Sequence, residues 1–125
     1  MPEDSKKLPM SIDYSIIEEL KSLDDDQENG SGMTKLIEIF IKETEKGIAF
    51  LEQLLPLKEG IPLSQAAHSL KSGSAAMGIK YMADIAGEME RLSKSNNFNT
   101  LDGLFATLKL EYSKVKLELL SIKKT

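Results

Sequence analysis

Apolar side chains recur along this chain at intervals of three and four residues, the spacing that gathers them onto one face of an α-helix. Ile12, Ile16, Ile17, Leu20 and Leu23 define a first short helix from Ser11 to Leu23. The polar stretch 24–32 contains two glycines and cannot contribute to a core, so it reads as a loop, part of which can extend a flanking helix. A second helix follows, with Met33, Leu36, Ile37, Phe40, Ile41, Thr44, Ile48, Leu51 and Leu55 as a sustained stripe and Glu and Lys on the opposite face. Pro56, Gly60 and Pro62 end it.

Pro62 is acceptable in the first turn of a third helix, where its missing N–H has no partner to lose, and that helix runs to about Met77 with Gly78 as its stop. A fourth helix carries Met82, Ile85, Ala86, Met89 and Leu92 and gives way to SKSNNFNT, whose Asn and Thr residues suit a turn and an N-cap. The fifth carries Leu101, Leu104, Phe105, Leu108, Tyr112, Val115, Leu119 and Ile122. No segment alternates with a period of two between hairpin turns, and the connections are short. The expected fold is therefore all-α: an antiparallel four-helix bundle with an additional short N-terminal helix as a lid.

A chain of 125 residues is the size of one domain, here residues 11–125 behind a flexible N-terminal segment of residues 1–10. There is no cysteine and only one histidine, which removes disulfides, thiol chemistry and most zinc sites. The net charge is −4 with both signs interleaved, so no basic surface is available for nucleic acid. The apolar runs are far too short to span a membrane and the start MPEDSKKLP has no apolar signal segment, so a cytoplasmic location is expected. Asp24 to Asp26 lack the alternating ligand spacing of a calcium loop and read as solvent-facing.

The chemistry lies on the third helix. At about 100° per residue, Leu63, Ala66, Ala67, Leu70, Ser74 and Met77 share one sector, and His68 lies opposite its centre, facing water. Its helical neighbours are Ser64 and Gln65 one turn before, Lys71 and Ser72 one turn after and Ala75 beyond, which leaves a low, accessible surround. In the small-residue run that follows, Gly73 and Ser74 are expected to turn inward, and Ser72 and Ala75 outward. An imidazole in water is largely neutral at cellular pH and keeps a nitrogen lone pair, so His68 can act as a nucleophile without a dedicated base. Lys71, at i+3, can bring an ammonium toward a phosphoryl group attached to it. No glycine-rich phosphate loop and no second histidine accompany the pair, so something else must supply the phosphoryl group.

The segment AHSLKSGSAAMG with the following IKYMADIAGEMERL resembles the histidine-containing phosphotransfer (HPt) domain, and the resemblance covers most of the chain. Its most specific part is Ala67, His68, Leu70 and Lys71, then the small-residue run and Gly78 ten positions after the histidine. The resemblance implies that His68 accepts and donates the phosphoryl group and that Lys71 stabilises the charge on phosphohistidine. It implies a partner-docking surface around them, formed by Ser64, Gln65, Ser72, Ala75, Glu90 and Lys94. Ser72 stands where the family usually has glycine, with the glycine delayed to Gly73. The implied partners are a response-regulator receiver domain, whose aspartate exchanges the group reversibly with His68, and a hybrid sensor histidine kinase upstream. Mg²⁺ is expected on the receiver, with no cofactor or metal on this chain, which is expected to be a monomeric carrier without kinase or hydrolase activity of its own. A helical adaptor acting by binding alone would need the bundle but not the His68 and Lys71 pair.

Overall fold

The computed structural model describes residues 12–22 and 31–124. Among these residues five helices run in order: α1 Tyr14–Ser22, α2 Ser31–Leu54, α3 Gly60–Ala76, α4 Lys80–Lys94 and α5 Leu101–Lys124, with a 3₁₀ turn Leu55–Leu57 after α2. No strand occurs among the described residues. Helices α2, α3, α4 and α5 each pack against the next, α2 also packs against α5, and the ring so formed is an antiparallel four-helix bundle. The expected flexible segment 1–10 and the loop residues 24–30 lie outside the described residues, while Ser31 and Gly32, read with that loop, belong to α2.

The helix ends follow from local chemistry. Pro56 cannot continue α2, and the chain turns at Lys58, whose φ of 50° is left-handed. α3 ends in a Schellman motif, with Ile79 N–H donating to the Ser74 carbonyl at 2.9 Å and Gly78 N–H to the Ala75 carbonyl at 3.0 Å. Gly78 takes the φ of +76° that this motif requires. α4 ends the same way on Asn96, at φ 55°, with Asn97 N–H donating to the Leu92 carbonyl at 2.8 Å. The first helix starts on Asp13, whose carboxylate accepts from the Ser15 N–H at 3.0 Å and the Ser15 hydroxyl at 2.7 Å.

α3 and α4 form the most extensive pairing of the bundle, because the residues between them are small: Ala66, Ala67 and Ser74 from one side, Ala83, Ala86 and Ser93 from the other, all buried. At its far end Gly60 meets the end of α4 so closely that a Cβ would lie 2.5 Å from the Ser93 carbonyl oxygen. The core holds Ile37 and Leu51 of α2, Met82 and Met89 of α4, and Leu108 and Leu119 of α5. α1 and the residues leading into it cover one end, burying Ile17 and Ile12, and the Asp13 N–H donates to the Gly78 carbonyl at 2.6 Å. Opposite the α3–α4 pair, Glu45 of α2 accepts from the Tyr112 hydroxyl at 2.9 Å and from Lys116 Nζ at 2.7 Å, tying α2 to α5.

Two core assignments differ from the periodicity. Leu36 is 39% exposed, because consecutive side chains lie about 100° apart around a helix and Leu36 falls at the edge of the face whose centre is held by Met33, Ile37, Phe40 and Thr44. Gly73 does not turn inward with Ser74: it is exposed, and a Cβ placed on it would meet nothing within 4 Å among the described residues.

Candidate functional site

An αα-hairpin with a short turn brings together residues equally far from that turn. His68 and Glu90 lie eleven residues either side of Ile79, and Lys71 and Gly87 eight. His68 stands on the outer face of α3 with its side chain 57% exposed, and its Nδ1 lies 3.1 Å from Glu90 Oε2 on α4. Lys71 Nζ reaches the other carboxylate oxygen, Oε1, at 3.1 Å, and Lys94 Nζ lies 3.4 Å from Oε2. One carboxylate, only 11% exposed, thus joins the imidazole and two ammonium groups.

Burial works against the charged form of Glu90. The hydrogen bonds from Lys71, His68 and Lys94, together with the Lys71 charge, outweigh it and hold the carboxyl below its ordinary range. An ionised carboxylate only accepts hydrogen bonds, so the proton of a neutral His68 ring sits on Nδ1. The lone pair is left on Nε2, which has no hydrogen-bond partner among the described residues. The arrangement therefore offers a nucleophilic nitrogen in a fixed tautomer, beside two cations.

The other expected residues divide. Gln65, Ser72 and Ala75 are exposed on the His68 side of α3, as its helical spacing requires. Ser64 is not: it is buried, and its hydroxyl donates to the Ile61 carbonyl at 3.0 Å within the first turn of α3. The expected place for Ser64 on an open docking surface is corrected accordingly, because the i−4 position lies close enough to the Leu63–Ala67 sector to be drawn inward. Glu90 and Lys94 are beside His68, but Glu90 forms the buried hub of the site rather than part of an open rim. Its link to His68 and Lys71 was missed from the sequence, although counting outward from the α3–α4 turn places it there.

On the other flank of α3, a groove of about 430 Å³ runs between α2 and α3, lined by Leu36, Ile39, Phe40, Ser69, Gly73 and Ala76. A second groove continues it past Gly47, Phe50, Pro62 and Gln65. Ile39 and Phe50 are 57% and 51% exposed, so an apolar surface adjoins the polar His68 site.

Comparison with known proteins gives the same picture. The family model described as the Hpt domain matches residues 35–118. The chain is 29% identical over 110 residues to multistep phosphorelay regulator 1 of Schizosaccharomyces pombe, a match covering 88% of this chain and 35% of that protein. It is 25% identical over 88 residues to the phosphorelay intermediate protein YPD1 of Candida albicans, covering 70% of this chain and 47% of that one. The chain thus spans between about a third and a half of the length of these curated relatives. Among solved structures, the histidine-containing phosphotransfer protein HptB of Pseudomonas aeruginosa superposes with a TM-score of 0.80 at 22% identity, covering 91% of this chain and 95% of that one, and so shares the fold.

Proposed function

The chain belongs to the Hpt domain family, and from that premise we propose that it is a phosphorelay intermediate, accepting a phosphoryl group on His68 and passing it reversibly to or from the aspartate of a response-regulator receiver domain. The observation that carries this reading is the hydrogen bond that Nδ1 of an exposed imidazole donates to Glu90, which leaves Nε2 free to attack.

In the accepting direction the Nε2 lone pair attacks the phosphorus of the partner's aspartyl phosphate. The N–P bond forms as the P–O bond to the aspartate breaks, and the aspartate leaves as its carboxylate. The ring, with Nδ1 still protonated, becomes cationic, and Glu90 lies 3.1 Å away to stabilise that charge. Lys71 and Lys94 are the cations placed to meet the phosphoryl oxygens. In the donating direction an aspartate attacks phosphorus, the N–P bond breaks, and its electron pair returns to Nε2. No proton leaves Nδ1 in either direction, so the chain needs no general base of its own.

The receiver supplies the acidic pocket and its Mg²⁺, and a hybrid sensor histidine kinase is the source of the group. This chain contributes the nucleophile, the cations and a docking surface. Gln65, Ser72 and Ala75 leave the approach to His68 low, and the apolar grooves along α2 and α3 suit a partner helix that excludes water during transfer. The reading is tested by incubating the chain with a phosphorylated receiver domain and following acid-labile, base-stable label. Label is expected to move to this chain and to be absent from His68→Gln. Label that never leaves the receiver would leave a binding-only adaptor as the better account.

A further inference from the structure

α4 carries a glycine where helix formation argues against one. Gly87 sits in the interior of Lys80–Lys94, and glycine there costs roughly 1 kcal/mol relative to alanine. No left-handed backbone requires it, since Gly78 is the one glycine with positive φ among the described residues. Nor does smallness alone, because Ala83 and Ala86 meet the packing against α3 on the same helix.

What distinguishes position 87 is the side chain lying over it. A Cβ built on Gly87 would come 3.2 Å from Lys71 Cδ, with no other such neighbour within 4 Å among the described residues. Two aliphatic carbons prefer a separation of about 3.5–4.0 Å, so a methyl group must push the lysine stem outward and a longer side chain must displace it. Lys71 crosses the bare backbone of α4 at this point before its ammonium reaches Glu90 Oε1, 3.1 Å away. Glu90 follows Gly87 by three residues, and a helical side chain leans back over the turn before it, so carboxylate and lysine stem converge above the glycine.

We infer that Gly87 is a positioning residue: its bare Cα is the surface on which the Lys71 stem lies, and it thereby holds the Lys71 ammonium at the Glu90 carboxylate beside the His68 ring. Its consequence for transfer rate rests on the phosphotransfer reading; the arrangement of Gly87, Lys71 and Glu90 does not.

The test compares the parent with Gly87→Ala, Gly87→Leu, Lys71→Ala and the double variant Gly87→Leu with Lys71→Ala. Thermal unfolding is measured on each, then the titration of the Glu90 carboxyl by NMR, then the rate of transfer from a phosphorylated receiver. Both Gly87 variants are expected to fold at least as well as the parent, being better helix formers. Among the described residues three groups face Glu90, namely His68, Lys71 and Lys94. Displacing Lys71 is expected to move the carboxyl titration in Gly87→Leu upward toward that of Lys71→Ala. Transfer is expected to slow about threefold in Gly87→Ala and about tenfold in Gly87→Leu, on the scale of weakening one charge-assisted hydrogen bond. In the Lys71→Ala background Gly87→Leu is expected to add nothing, because the group it acts through is gone.

A Glu90 titration unchanged in Gly87→Leu would overturn the inference, and so would slowing that persists undiminished without Lys71, which would mean that the new side chain obstructs docking. The titration needs no receiver. If even the parent takes up no phosphoryl group, the phosphotransfer reading falls while the titration still decides what Gly87 does.

Discussion

Glu90 decides the behaviour of the site at the scale of single residues. It is at once the acceptor that fixes the His68 tautomer and the anchor of Lys71 and Lys94. Replacing it with alanine frees the ring and separates the two ammonium groups, and transfer from a phosphorylated receiver is expected to slow about tenfold, the scale of one lost charge-assisted hydrogen bond. A Glu90→Ala rate equal to the parent's would show that the tautomer needs no fixing. A second residue concerns stability alone. Ser74 is fully buried and its hydroxyl has no hydrogen-bond partner among the described residues. Ser74→Ala removes that uncompensated group and is expected to raise stability by about 1 kcal/mol, read from denaturant unfolding. His68 and Lys71 were legible in the sequence because both lie on one exposed helix face. Glu90 was legible only as a flanking residue, since its contact depends on how two helices align, and Ser64 was misplaced because it borders the buried sector.

At the scale of elements, the turn between α3 and α4 sets the site. It fixes which residues of the hairpin face each other, and it also seats α1. A Cβ on Gly78 would lie 2.7 Å from the Ile16 Cβ and 3.0 Å from the Asp13 carbonyl oxygen, at a φ that side chains rarely adopt. Gly78→Ala is therefore expected to cost more than about 1 kcal/mol and to raise amide exchange in α1 before that of the bundle. Uniform exchange across α1 and α4 would contradict this order. Gly103 provides the contrast: it lies in α5, a Cβ there meets nothing within 4 Å among the described residues, and Gly103→Ala is expected to stabilise by about 0.5 kcal/mol without changing transfer. The helices themselves were readable from the three- and four-residue spacing and from the stops at Pro56 and Gly78. The periodicity gave too wide a stripe where apolar residues are adjacent, as at Leu36 and Ile37, because a repeating pattern does not say which of two neighbours the core accepts.

Across the whole molecule, charge ties stability to pH from both sides. Asp13, Glu45, Glu88 and Glu90 all have carboxyls held below their ordinary values, by hydrogen bonds from Ser15, from Lys116 and Tyr112, from Arg91, and, against burial, from Lys71, His68 and Lys94 respectively. Groups depressed in the folded state stabilise it fully above their unfolded values of 3.8 to 4.5, and that contribution is lost as pH falls through the folded values. Tyr112 has the opposite sign: burial and the Glu45 carboxylate raise its pKa, so its contribution is complete below 10 and is lost as pH climbs past that value. Thermal unfolding across pH should thus show a plateau with an acid limb and an alkaline limb, and Tyr112→Phe should flatten the alkaline one. An alkaline limb unchanged in that variant would remove the tyrosine from the account.

The central claim is that Nε2 of one imidazole carries the phosphoryl group while Nδ1 stays protonated against Glu90. The chain has a single histidine, so selective ¹⁵N labelling of that ring makes the phosphorus–nitrogen coupling unambiguous by NMR after incubation with a phosphorylated receiver. Coupling of phosphorus to Nε2 of His68 is the predicted result. Coupling to Nδ1, or phosphorus bound anywhere else on the chain, would contradict it.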